Sequence, residues 1–388
     1  MEFLKPSLGN LTLTLKWLGA CILVIVFIEA GYSGYRSVFG HDRVGVPERL
    51  IRSSVLNDKP WAEAMFKEQF AAGMEYHAYL GWRSLPFKGM YVNVSSEGIR
   101  RTFPASCNAM ANRDSVFVFG GSSIWGVCVR DEHTVPSCLA EHLCREGNTS
   151  TVVNYGEKGF SFTQGVLSLI LLLRSGHRPS QVIFVDGAND ILAAYLAGKV
   201  GVEQLDGELQ GLVDFKRLSH IRQVASVAED WVEHSSVVWK ILTRLRTMVL
   251  PHVGPNPLSM RYKKEDLAGL SVAIEQNYLA SYRLLVNMSW LYGFRYHCFL
   301  QPLAYIKVHL TDEDLQGDYV DNADLRSLSL ETYALLQRDS LQGLHSLADV
   351  LDTCNTTCYF DFCHVSEDAN GIIADRILAL LPPRETTR

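Results

Sequence analysis

A strand-forming run that ends in two glycines and two serines constrains this chain more than any other stretch. Val116 to Phe119 has strand composition and passes directly into Gly120-Gly121-Ser122-Ser123. A hydroxyl at such a strand-to-helix turn sits at the carboxyl edge of an α/β sheet, where open sheets keep their sites. The glycines tolerate unusual backbone angles and leave room for a ligand to approach. A phosphate-cradling turn is an alternative reading, although the spacing matches neither a P-loop nor a dinucleotide fingerprint.

From residue 115 onward strands and helices alternate, the pattern of a parallel α/β sheet of about five strands. The composition predicts strands at 115–119, 151–154, 181–185, 294–300 and 359–360. Helical spacing is expected near 134–145, 163–175, 188–197, 265–292, 329–350 and 370–381. Residues 166–173 are apolar all round, which predicts a buried helix too short for a membrane span. Residues 41–110 lack strong periodicity and read as an accessory segment; 111–385 form the main domain. Residues 199–262 interrupt the alternation as a helical insertion, a usual place for substrate selection.

The chain is 388 residues long, 47% hydrophobic and 20% charged, with a formal charge of −6. That balance argues against a nucleic-acid partner. Near the amino terminus, Trp17 to Ile28 contains no charge. Twelve helical residues reach about 18 Å, short of the roughly 30 Å hydrocarbon layer, so a span must extend to Leu11 or to Tyr35. Residues 1–40 therefore read as a tail and a transmembrane signal anchor. A cleaved signal peptide and a buried helix are the alternatives. Arg36, Arg43 and Arg49 follow the span and lean against export, but nearly all the protein lies beyond a short tail. The main domain is expected in the periplasm or outside the cell. Nine cysteines fit an oxidising compartment, with Cys354 and Cys358 close enough to pair, and free buried thiols are an equally ordinary explanation.

Three more segments fall at predicted strand ends. Asn154-Tyr-Gly-Glu-Lys-Gly159 offers a bare backbone N–H at glycine, or is a plain turn. Asp186-Gly-Ala-Asn-Asp190 places an amide at Asn189 that can face a developing oxyanion, and a carboxylate at Asp190 that can cap the next helix. Asp361-Phe-Cys-His364 sets a carboxylate three residues from an imidazole, where it can fix the tautomer and stabilise the charged ring. Ser123 is a rival to Ser122. Cys363 is expected to point away from the neighbouring ring. No histidine pair has ligand spacing, so no metal is expected.

Taken in order, Gly120-Gly-Ser-Ser, Asn154 to Gly159, Gly187-Ala-Asn-Asp190 and Asp361-Phe-Cys-His364 resemble four blocks of the SGNH (GDSL-type) hydrolases. Gln301-Pro302, Asp368-Ala-Asn-Gly371 and Gly81-Trp-Arg83 resemble features of membrane-anchored bacterial members. The resemblance covers about residues 111–382 and departs at Gly121, where the family's name motif has aspartate. It implies a flavodoxin-like three-layer α/β/α fold and a cofactor-free serine esterase. Ser122 would be the nucleophile, His364 the base and Asp361 its orienting acid. The oxyanion would meet the N–H groups of Ser122 and Gly159 and the Asn189 side chain. A short acyl group on a surface or secreted glycan is the expected substrate, with lipid esters or thioesters as alternatives. An O-acyltransferase with the same acyl-enzyme, and a non-catalytic glycan-binding or assembly module, are the rivals.

Overall fold

The computed structural model describes residues 48–103, 114–148, 150–204, 264–317, 319–338 and 340–382. All belong to one compact unit, Gly45–Asp206 with Met260–Arg388. The expected anchor and nearly all of the expected insertion at 199–262 lie outside the described residues. Among the described residues no helix is long and apolar enough to cross a membrane.

Five strands make the central sheet: β5 (Ser115–Gly120), β6 (Thr151–Asn154), β7 (Gln181–Asp186), β8 (Arg295–Leu300) and β9 (Leu344–Ser346). Every pairing among them is parallel, in the spatial order β6-β5-β7-β8-β9. The chain runs first outward to β6, then back past β5 to β7. That reversal opens a crevice between the carboxyl ends of β5 and β7, the place where doubly wound sheets bind ligands.

Right-handed crossovers fix the layers. Helix α3 (Val135–Arg145) connects β5 to β6 and packs against α8 (Glu367–Leu380). The connections running the other way carry α4 (Phe162–Arg174), α5 (Ala188–Ala197), α6 (Lys264–Tyr292) and α7 (Ala323–Arg338). Helix α6 packs on α4, α5 and α7, forming the second helical layer. A sheet covered on both sides buries its middle strand completely, which explains the unbroken run Gln181–Asp186, all six residues of it buried. Phe119 stacks on Phe184 and Tyr155, with centroids 4.9 and 5.2 Å apart. Each such ring contributes about 1.5–3 kcal/mol by leaving water.

Helix α4 buries Val166, Leu169 and Leu173, but Leu167 is 37% exposed, so its apolar run is not covered all round. A larger difference concerns the last strand. Residues 359–360 do not join the sheet; Tyr359 only bridges Val365 within a loop. The fifth strand is β9, inside the stretch expected to be helical to residue 350. Helix α7 ends at Arg338 and the chain turns at Gly343, whose φ of +75° is closed to most side chains.

Residues 48–103 contain α1 (Ala62–Ala71), a hairpin of β1 (Met74–His77) and β2 (Gly81–Ser84), and the short pair β3 (Phe87–Lys88) and β4 (Asn93–Val94). Arg100 bridges both Val94 and Asn154, so this segment closes the outer edge of β6.

Candidate active site

Strand β5 delivers Gly120 to the sheet edge, Gly121 caps the four-residue helix α2 (Ser122–Trp125), and Ser122 is its first residue. At the other end of the chain, Asp361 Oδ1 accepts the backbone N–H groups of Cys363 and His364 at 2.8 and 2.7 Å. The Phe360 N–H donates to the His364 carbonyl, and Ser366 then caps α8. This tight loop aims the imidazole back at α2. His364 Nε2 lies 2.6 Å from Ser122 Oγ, and His364 Nδ1 lies 2.5 Å from Asp361 Oδ2. A proton on Nδ1, shared with the carboxylate, leaves Nε2 free to accept from the hydroxyl.

Burial works against charge on Asp361, yet the facing imidazole and the N–H donors of Cys363 and His364 hold its carboxyl below the usual range. Burial likewise opposes charge on His364, but the Asp361 carboxylate, then Cys363, raise the imidazole well above its ordinary value. The Cys363 thiol is pushed up by burial, against the pull of His364. Its sulfur does not point away from the ring as expected: Sγ lies 3.9 Å from His364 Nδ1. The two backbone bonds to Asp361 curl the loop tightly enough to turn the side chain inward. Asp361, Cys363 and His364 thus bring a carboxylate oxygen, a sulfur and a ring nitrogen within 4.8 Å of one another. Such a mixed set has no paired-histidine spacing to mark it in the sequence.

Ser123 faces elsewhere. Its hydroxyl donates to the Cys363 carbonyl at 3.2 Å and accepts from Gln301 Nε2 at 3.4 Å.

The three expected oxyanion donors are positioned as follows. The Ser122 N–H opens α2 and is one of the donors that a helix start leaves without an internal partner. Gly159 has φ +75°, and a Cβ there would meet Gln204 Oε1 at 2.9 Å. Asn189 Nδ2 donates one hydrogen to the Phe160 carbonyl at 2.8 Å, while its Oδ1 accepts from Gln204 Nε2 at 3.0 Å. Gln204 therefore fixes which way the amide faces. Asn189 Nδ2 also presses on Gly121, where a Cβ would come within 2.0 Å of it. An aspartate at 121 does not fit beside this amide. Asp190 is in the first turn of α5, whose cap position is Gly187. Its carboxylate takes the Phe162 N–H at the start of α4 at 3.2 and 3.1 Å. Burial moves it up to about 6, opposed by N–H donors of Phe162, Asp190 and Gly187.

Residues outside the expected triad and oxyanion donors hold this arrangement from behind. Asn154 Nδ2 donates to the Ile124 carbonyl at 2.9 Å. Trp125 Nε1 donates to Ser84 Oγ at 3.0 Å, and Ser84 donates through both Oγ and N to the buried Glu157 at 2.6 and 2.8 Å. Trp82 Nε1 donates to the Lys158 carbonyl at 2.7 Å. Arg100, with no exposure at all, donates to the carbonyls of Trp125 and Gly126 and to Asp131. Its guanidinium lies 4.4 Å from the Trp125 ring centre. Strand β2 and Arg100 thus link the helix bearing Ser122 to the turn bearing Gly159.

No family model and no curated protein matches the chain. Solved structures do. An acetyl xylan esterase, AlAXEase, is 13% identical over 69% of this chain and 100% of its own, with a TM-score of 0.35. A member of the lipolytic G-D-S-L family from Veillonella parvula is 10% identical over 69% and 97%, at 0.36. A carbohydrate acetylesterase family member from Sinorhizobium meliloti is 14% identical over 68% and 94%, at 0.33. Likeness at these scores decides nothing about chemistry, which rests on the geometry of this chain.

Proposed function

We propose that the protein is a serine-dependent carboxylic ester hydrolase of the SGNH type, working through an acyl-enzyme. The observation that carries this reading is the continuous path from Ser122 Oγ to His364 Nε2 and from His364 Nδ1 to Asp361. Ser122 Oγ attacks the acyl carbonyl as His364 takes its proton, and His364 then returns that proton to the leaving alkoxide. Water repeats the cycle and frees the acid. The oxyanion is met by the N–H groups of Ser122 and Gly159 and by the second Asn189 amide hydrogen. No cofactor takes part.

A short acyl group on a surface or secreted glycan suits the expected location and the family resemblance, with lipid esters and thioesters as the other substrates. The uncharged stretch from Trp17 to Ile28 supports a membrane tether. The Cys354–Cys358 disulfide supports a domain facing an oxidising compartment, the periplasm or beyond.

Labelling with a fluorophosphonate probe, followed by peptide mapping, tests nucleophile and activity together. The expected result is one adduct at Ser122, lost in Ser122→Ala along with turnover of a short-chain aryl acetate. A folded wild-type chain without that adduct, or a Ser122→Ala variant that keeps full turnover, removes the assignment.

A further inference from the structure

We propose that Asp361, Cys363 and His364 form a binding site for one thiophilic divalent cation of the zinc or cadmium kind, and that its occupation silences Ser122. The silencing rests on His364 being the base; the binding does not.

The three ligand atoms lie within 4.8 Å of one another, on one short loop. Tetrahedral zinc, with bonds of about 2.3 Å to sulfur and about 2.0 Å to nitrogen, sets those two ligands about 3.5 Å apart. Cys363 Sγ and His364 Nδ1 are already 3.9 Å apart. Asp361 Oδ2 has to withdraw from the ring by about 1 Å to admit the ion. It can do so because the backbone N–H groups of Cys363 and His364 hold the other oxygen, Oδ1. One carboxylate and one thiolate balance the charge of the cation, so the occupied site is neutral, which a largely buried place requires. Sulfur and imidazole favour zinc and cadmium over magnesium or calcium. Solvent reaches the site, since the His364 and Asp361 side chains are 17% and 20% exposed.

The proton balance explains the silencing. Without the ion, Cys363 carries S–H and His364 carries N–H at Nδ1. The cation takes both positions. The thiol proton leaves for solvent, and a ring that is already neutral keeps its one proton at Nε2, so one proton is released per ion bound, and two where the ring starts as imidazolium. Nε2–H then donates to Ser122 Oγ and has no lone pair to accept the hydroxyl proton. The base holds the wrong tautomer, and the hydroxyl stays unactivated.

Cadmium titration of the full chain reads binding through the ultraviolet charge-transfer band of a cadmium thiolate, without any need for turnover. A saturable band is expected in the wild type and in Ser122→Ala, and its loss in Cys363→Ala and in the closer isostere Cys363→Ser. The buried thiols Cys128, Cys138 and Cys298 are common to all four proteins. In parallel, zinc should inhibit aryl acetate turnover, with EDTA restoring it and magnesium having no effect. Partners outside the coordination sphere already shift metal affinity about 10–100-fold, so loss of a direct ligand should raise the half-inhibiting zinc concentration at least tenfold. Each variant is referred to its own zinc-free rate. A band unchanged in both Cys363 variants, or no band in the wild type, overturns the site. Equal zinc sensitivity with and without the thiol overturns the silencing. A wild type that shows the band but hydrolyses no ester sinks the esterase reading and leaves the site standing.

Discussion

His364 sits between a carboxylate that favours its charged form and a hydroxyl that needs its neutral one. The imidazole is held well above its ordinary 6.5, because Asp361 and Cys363 outweigh burial. Imidazolium cannot accept a proton, so kcat/KM should rise with pH and level off only after a midpoint above that value. Asp361→Asn removes the opposing charge, so the midpoint should fall toward or below 6.5. The rate should drop by about 10⁴, because the tautomer is no longer fixed. Steady-state pH profiles of the two proteins check both signs, and an unmoved midpoint rules out the pairing. Ser122 was legible because its motif ends a strand, and Asp361 and His364 because a carboxylate and an imidazole share one short motif, although the strand expected before them is a loop. The orientation of Cys363 was not, since it depends on both backbone bonds to one carboxylate.

At the scale of elements, α2 is too short to hold itself together, because a single turn costs more entropy than its one or two hydrogen bonds return. Its carbonyls are secured by Asn154 and Arg100, and its cap is crowded by Asn189. Gly121 has ordinary backbone angles, φ −81° and ψ −152°, so glycine is required there by contact and not by conformation. Gly121→Ala should push Asn189 aside and forfeit one oxyanion donor, lowering kcat by about 10²-fold with little change in KM. Kinetics alongside thermal unfolding separate this from general damage, and an unchanged kcat would mean that Asn189 has no part in the reaction. Strand β9 escaped the sequence reading for an element-scale reason. It has three half-buried residues at a sheet edge, too few to show an alternation.

Across the whole molecule, the segment 48–103 joins the central sheet through groups with almost no exposure to water. Arg100 and Asp131 are 0% and 1% exposed, and Asn93 adds two further bonds to Asp131. Removing one charge from such a pair strands the other. Arg100→Met should therefore cost about 3–5 kcal/mol, with part of it recovered when Asp131→Leu is added. Urea unfolding measures both, and a loss under 1 kcal/mol for the single variant would show the pair to be dispensable. Nothing in the local pattern announces this brace, because its partners lie 25 to 31 residues from Arg100 and all but Asp131 pair through backbone carbonyls. The parallel sheet itself was readable, since strand and helix alternate openly from residue 115.

Ser122 and His364 are separated by 242 positions. A nascent polypeptide therefore presents its hydroxyl to the cell long before the ring that activates it has been translated. On the esterase reading, a ribosome stalled anywhere between those two codons displays an inert protein, and acyl groups are safe from it until synthesis has passed residue 364 and the loop has closed.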